Sequence, residues 1–269
     1  MRDDTILLGA VAYDPKVVPI WEGIRDHFAD LGVAMDFALF SNYERQVEAL
    51  LAGVVDVAWN TPLAHVRVQR RRSGRLRTLG MRDTDRDMRS RLIVRRDAGI
   101  AGPADLAGRR LAVGSRDSTQ ARILPLHFLA ADGVDLETVA LRPIDSDVGK
   151  HGDTGRSELE VLEALRSGAA DAGTVCEPVW VWQQAAGRID PEQLTAVWTS
   201  PAYDHCIFDA LDTLPAEKAD GFTRALFAMQ WDDPRHRKLM EMEMLKQWLP
   251  PREEGYDSLR AALDAQGGW

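Results

Sequence analysis

The sequence predicts an α/β protein of two lobes, each built on a parallel sheet with helices on both faces. Three observations carry this. Short apolar runs alternate with helix-like segments of about 10–15 residues from the start of the chain. The alternation restarts near residue 90, and after Leu214-Pro215 only helical periodicity remains. With chain crossings placed near Asp87–Leu92 and Val197–Ala202, lobe 1 comprises residues 1–88 plus 200–269 and lobe 2 residues 89–199.

The elements follow in order. Leu7–Ala12 reads as a buried strand, and Asp14-Pro15 opens a helix over Val17–Asp30 that Gly32 stops. Ala34–Phe40 is a second strand, and Ser41/Asn42 cap a helix over Tyr43–Ala52. Val54–Trp59 is a third strand, Thr61-Pro62 starts a helix to about Arg72, and Leu76–Met81 returns as a strand. In the second stretch, strands are expected at Arg91–Arg95, Arg110–Gly114, Val139–Leu141, Ala170–Val175 and Gln193–Thr199. Helices are expected at Ser118–Asp132, Ser157–Ser167 and Pro178–Ala186, with a polar glycine-bearing loop over Asp145–Gly155. Cys206–Asp209 is extended, and three helical pieces complete the chain, divided near Asp232-Asp233-Pro234 and Pro250-Pro251.

Composition narrows the function. The chain has 269 residues, 45% hydrophobic and 28% charged, with net charge −9, which excludes a protein that binds nucleic acid through bulk positive charge. The one basic run, Arg70-Arg71-Arg72 with Arg75 and Arg77, reads as a solvated helix end. No apolar segment is long enough for membrane insertion. The N-terminus leads straight into a strand, so the chain as given reads as cytoplasmic, or as periplasmic or cell-surface if an upstream signal has been removed. Two cysteines, Cys176 and Cys206, form neither a disulfide framework nor a zinc spacing, and no nucleotide-binding glycine motif occurs; no metal or cofactor is expected.

One local grammar recurs three times: an apolar run, a short polar turn, then a helix start. The turns are Asp56–Pro62, Leu111–Thr119 and Asp171–Pro178. Each presents backbone N–H groups and small hydroxyl or amide side chains at a helix N-terminus, where an anion or polar small molecule binds.

The order of these pieces is similar to a known family. The run Gly9-Ala10-Val11-Ala12-Tyr13-Asp14-Pro15-Lys16-Val17-Val18-Pro19-Ile20-Trp21-Glu22 resembles the start of phosphonate/phosphate-type ABC transporter substrate-binding proteins. So do Tyr43 with Glu48–Trp59, then Asp105–Ser115 with Ser118-Thr119, and Ala164-Leu165 with Gly168–Gly173. The resemblance covers most of the chain to about residue 200. It implies the type II periplasmic-binding-protein fold: two α/β lobes joined by two crossover strands, closing by hinge motion over a small ligand. The ligand-facing positions it implies are Tyr13, Asp14, Tyr43, Asn60, Thr61, Ser118, Thr119, Gln120, His151, Cys176 and Glu177. Asp14 and Glu177 in the expected cleft argue for a ligand other than a bare phosphonate, because carboxylates repel an oxyanion.

The residues themselves suggest further roles. Trp59 would wall a pocket or pack in the core. His151, in a loop that reads as a lid, would contact ligand or move a proton. Cys176 at a helix start would be activated if its thiol were depressed, with Glu177 as a neighbouring base. Tyr203 and His205 sit at the return crossing and would line the cleft, but adjacent extended residues alternate faces, so His205 and Cys206 should not share one atom. His27, His65, His127 and His236 read as structural. The leading expectation is a binding protein for a small polar or anionic organic ligand, with a permease or sensor protein as partner. The alternatives are a lyase or hydrolase on the same fold using Glu177, His151, His205 and Cys176, and a ligand sensor.

Overall fold

The computed structural model describes residues 4–73 and 75–267, and the chain falls into two units. The first takes the chain up to Asp87 with Asp204–Tyr256; the second takes Met88–Tyr203 and the chain from Asp257 onward.

The first unit begins β1 (Ile6–Val11), α1 (Val17–Asp30), β2 (Met35–Phe40), α2 (Tyr43–Leu51), β3 (Val57–Asn60), α3 (Pro62–Arg71), β4 (Leu76–Arg82). The second runs β5 (Ser90–Arg95), β6 (Arg110–Val113), α4 (Leu124–Ala131), β7 (Ala140–Pro143), α5 (Arg156–Arg166), β8 (Ala172–Cys176), α6 (Glu177–Ala185), β9 (Leu194–Thr199). The chain returns to the first unit with β10 (Ile207–Leu211), α7 (Ala216–Phe227), α8 (Pro234–Met242) and β11 (Trp248–Leu249). It ends in α9 (Asp257–Gln266). The sheet orders are β11-β4-β10-β3-β1-β2 and β7-β6-β8-β5-β9.

The sheets are mixed, not parallel as the alternation predicts. β1 is parallel to β2 and β3, and β6 to β7 and β8, as helical crossovers require. β10, however, lies antiparallel between β3 and β4, and β5 antiparallel between β8 and β9. In both sheets a helix-connected strand pair is split by the strand that arrives from the other unit. No local crossover constrains that strand's direction. The tail also differs from the expected helices: β11 adds an antiparallel edge to β4. The last helix, assigned by sequence to the first lobe, belongs to the second unit, where Gln266 Nε2 donates to the Ile123 carbonyl at 3.1 Å.

Strand alternation decides which side chains meet. Ile6, Leu8 and Ala10 of β1, Val57 and Trp59 of β3, and Phe208 and Ala210 of β10 share one core with α1 and α7. Val11 and Ala58, one residue out of phase, join Tyr43, Val47 and Leu50 of α2 and Ala64 and Val68 of α3. The second unit repeats this two-faced plan. Ile93 and Ala112 pack with α5 and α6, whereas Leu92, Val94, Leu111 and Val113 pack with α4.

The helix expected over Ser118–Asp132 starts as a π turn at Thr119–Ile123 before α4. Ile123 N–H reaches back five residues to the Ser118 carbonyl at 3.0 Å. Pro125 explains the detour: it has no N–H to give to the carbonyl of Ala121, four residues earlier, and its ring crowds that oxygen. The Ala121 oxygen instead accepts from Gly114 N–H (3.0 Å) and Thr174 Oγ1 (2.7 Å).

Candidate functional site

In the second unit the π turn, the start of α5 and the loop before it converge. Ser118 caps the turn, accepting from Ala121 N–H at 3.2 Å, and Ser118 N–H closes back on the Ser115 carbonyl at 2.8 Å. A methyl group at Gly114 would lie 2.6 Å from Ala121 Cβ and 3.3 Å from Ser157 Oγ, so the first turn of α5 abuts the strand end. A Cβ at Gly152 would lie 2.4 Å from Gln120 Nε2 and 2.6 Å from Ser118 Oγ, so the loop rests on the capped turn. Gly152 has φ +87°, which suits glycine. The hydroxyls of Ser115, Thr119 and Ser157 and the side-chain Oε1 of Gln120 are buried and have no hydrogen-bond partner among the described residues.

The turn is held from beneath. The Gln120 backbone carbonyl accepts from Ser90 Oγ (2.6 Å), which in turn receives the Tyr203 hydroxyl (2.8 Å). Burial pushes the Tyr203 phenol well above its ordinary range, so it stays a neutral donor. Tyr203 therefore supports the backbone of the site.

The loop over 145–155 is folded in, not a solvated lid. His151 is fully buried at φ +52°. Asp117 Oδ2 accepts from Gly149 N–H at 2.5 Å, and Asp147 Oδ2 accepts from Thr154 Oγ1 at 2.6 Å. His151 Nε2 stands 3.8 Å from Asp117 Oδ2, beyond hydrogen-bond reach.

The third sequence turn is not an activated cysteine. Burial first, and then the nearby Glu158 carboxylate, push the Cys176 thiol well up. Its backbone N–H is spent on Glu158 Oε2 at 2.5 Å, and Glu158 is buried. Backbone N–H groups at the helix start, Val179's among them, favour the thiolate, but burial and Glu158 outweigh them, which argues against the nucleophile expectation. Glu177 pairs with Arg91 at a partly exposed position.

In the first unit, Asn60 is locked inward: its Nδ2 donates to Asp209 Oδ2 (2.7 Å) and its Oδ1 accepts from Gln46 Nε2 (2.8 Å). Asp209 Oδ1 is 2.9 Å from Nδ1 of the buried His65. Burial opposes protonation of His65, but the Asp209 and Glu253 carboxylates outweigh it and raise its pKa to about 9. Thr61 caps α3, accepting from Ala64 N–H at 3.4 Å. Trp59 packs in the core, with Phe208 at 4.4 Å and Trp248 at 5.9 Å between ring centroids, which favours the packing reading. Tyr43 is buried in the α2 cluster; Tyr13 is half-buried, with Lys16 Nζ 5.7 Å from its ring centre; Asp14 is exposed and accepts from Lys16 N–H at 2.8 Å.

His205 and Cys206 do share a neighbour, against the alternation argument, because they precede β10 and are not strand residues. His205 Nδ1 is 3.1 Å from Cys206 Sγ and 3.4 Å from Asp85 Oδ1, and donor atoms of all three lie within 4.8 Å of one another. Arg82, however, already forks onto both Asp85 oxygens at 2.6 and 2.9 Å. Burial would raise the Asp85 carboxyl, but Arg82 and His205 hold it down at about 2. A cation placed there would face a buried guanidinium, so the cluster reads as a brace, not a metal site. Ser115, Asp117, Ser157, Glu158 and the His65–Asp209 pair were not in the sequence-derived set; only the seryl residues carried a signal, as hydroxyls flanking predicted helix starts.

A family model described as the periplasmic phosphonate substrate-binding protein of ABC transporters matches residues 12–256. The probable ABC transporter phosphite binding protein PhnD1 of Prochlorococcus marinus (strain MIT 9301) is 22% identical over 239 residues, covering 85% of this chain and 77% of that one. The PhnD1 structure in complex with methylphosphonate superposes with TM-score 0.74 at 18% identity, covering 96% of this chain and 97% of that one. XAC2383 from Xanthomonas citri bound to ATP also gives 0.74, at 17% identity over 97% and 96% of the two chains. The aliphatic sulphonate binding protein SsuA from Escherichia coli gives 0.63, at 14% identity over 97% and 91%. These likenesses establish the type II periplasmic-binding-protein fold, with its mixed sheets. The match across most of the chain places it in the phosphonate-binding, periplasmic substrate-binding protein family of ABC transporters.

Proposed function

We propose that this chain captures a small phosphorus oxyanion, of the phosphonate or phosphite class, and hands it to a membrane permease. The carrying observation is the set of buried hydroxyls of Ser115, Thr119 and Ser157 left without a partner among the described residues. An unsatisfied buried donor costs about 1–3 kcal/mol, so such a set is stable only if something else receives its hydrogen bonds. Ser157 also stands in the first turn of the 11-residue helix α5, whose free N–H groups and dipole favour negative charge. In this reading Thr119 and Ser157 donate to the oxyanion, Ser118 shapes the turn, and Gln120 and His151 complete the polar lining. The first-unit residues Tyr13, Tyr43, Asn60 and Thr61 are tested separately by substitution.

The chain would act in the periplasm, the second of the two locations its sequence leaves open. Fractionation of cells expressing the full gene tests this. Isothermal titration with methylphosphonate, phosphite, phosphate and methanesulfonate tests binding. Saturable one-to-one binding of a phosphorus oxyanion is expected, with Ser157→Ala weakening it about 10–100-fold, the loss of a hydrogen bond to a charged group. Absence of binding to all four would refute the reading.

A further inference from the structure

Ser90 and Tyr203 are both buried and lie outside the turn, on the stretches where the chain enters the second unit and leaves it. The two stretches are tied together through their backbones. Met88 and Tyr203 form a β-bridge. Ser90 N–H donates to Ser200 Oγ and the Ser90 carbonyl accepts from Ser200 N–H, both at 2.9 Å. The Ser90 and Tyr203 hydroxyls therefore meet in a set geometry, 2.8 Å apart.

The direction of each bond follows from the chemistry of the groups. A peptide carbonyl only accepts, so the single Ser90 hydroxyl proton goes to the Gln120 backbone oxygen at 2.6 Å. Ser90 Oγ is then the acceptor for Tyr203, and the phenol is the donor. The same Gln120–Ala121 peptide gives its N–H to Ser118 Oγ at 3.2 Å. Ser118, having accepted, keeps its own proton to give. Phenol, hydroxyl, peptide and hydroxyl thus line up head to tail. Each bond in such a chain polarises the next, and a buried setting strengthens the effect. The chain ends on the Ser118 O–H, next in sequence to Thr119, whose hydroxyl is buried and has no partner among the described residues. Resting on that oxyanion reading, we propose that Tyr203 and Ser90 are positioning residues: through the Gln120–Ala121 peptide they make the Ser118 hydroxyl a polarised donor to the bound anion as well as a helix cap. Neither residue touches the anion itself.

A cycle of variants separates this from a merely structural role for the phenol. Wild type, Tyr203→Phe, Ser118→Ala and the double variant are titrated with methylphosphonate and phosphite. Tyr203→Phe should weaken binding about 3–10-fold when Ser118 is present, the worth of one hydrogen bond, and less than about twofold in Ser118→Ala, where the chain has lost its end. Ser90→Ala should follow the same pattern. An equal loss in both backgrounds, as general loosening of the turn would give, or full affinity in Tyr203→Phe, would overturn the proposal. The ligand-free protein supplies a second reading that stands even if Ser118→Ala does not fold. In Tyr203→Phe the Ala121 amide proton should move upfield, because its peptide carbonyl then accepts a weaker bond. The aromatic ring is retained, so ring-current effects cancel, and the Gly114 amide, bonded to the Ala121 carbonyl, should stay in place. An unmoved Ala121 resonance would overturn the chain. If the wild type binds neither anion, the proposed function fails, and the amide shift still decides the hydrogen-bond chain by itself.

Discussion

Replacing Asp209 by Asn tests how the first unit tolerates polar groups in its core. His65 and Asp209 are both fully buried and 2.9 Å apart, and Asp209 also receives the Asn60 amide. Burial alone would keep His65 neutral; the carboxylates reverse this and hold its pKa near 9. A rise from the ordinary 6.5 to about 9 corresponds to roughly 3 kcal/mol of stability through proton linkage. Because the folded pKa is the higher one, that contribution is complete below pH 6.5 and disappears as pH rises through 9. Wild-type stability in urea should therefore fall by about 3 kcal/mol across this window, beyond any change in Asp209→Asn. The variant should be flatter there and less stable near neutrality. Two-dimensional NMR of the His65 ring, assigned by a His65→Gln comparison, gives the decisive reading. A ring that titrates near 6.5 in the native protein would refute the ion-pair argument.

Two further outcomes follow from burial. Trp59→Ala should cost about 3–5 kcal/mol in unfolding free energy, because it empties space shared with Phe208 and Trp248, yet leave the ligand preference unchanged. A changed preference would return Trp59 to the binding surface. Both cysteines are buried and the Cys176 thiol is pushed up by burial and by Glu158. Ellman's reagent should therefore label native protein near pH 8 far more slowly than urea-unfolded protein, and a fast-reacting Cys176 would revive the nucleophile reading.

Local chemistry made much of the fold legible. Strand and helix positions up to Arg82 follow from apolar periodicity and from caps such as Asn42 and Thr61-Pro62, because these signals act within one turn of chain. The π turn was hidden, although its cause, Pro125, lies in plain view: a proline seven residues after a capping serine reads equally as a helix that starts later. The site was half legible. Ser118, Thr119 and Ser157 each mark a helix start, but nothing in sequence says that Ser157 reaches the same place from a separate helix. Ser90 reads as one more serine near a strand until its hydroxyl is found donating to the Gln120 backbone carbonyl.

On its own, the order of residues gave an α/β chain of two lobes, an expectation of chain crossings near Asp87–Leu92 and Val197–Ala202, and a likeness to phosphonate-type solute receptors. Those features arise from periodicity, capping and motif order, which need no distant partner. Only tertiary structure decided the antiparallel strands β5 and β10, the inward fate of Asn60 and Trp59, the inert Cys176 and the hydroxyl pair of Ser90 and Tyr203. Each of these depends on what a residue meets across tens of positions of chain, where burial and charge neutralisation, not local propensity, set the outcome.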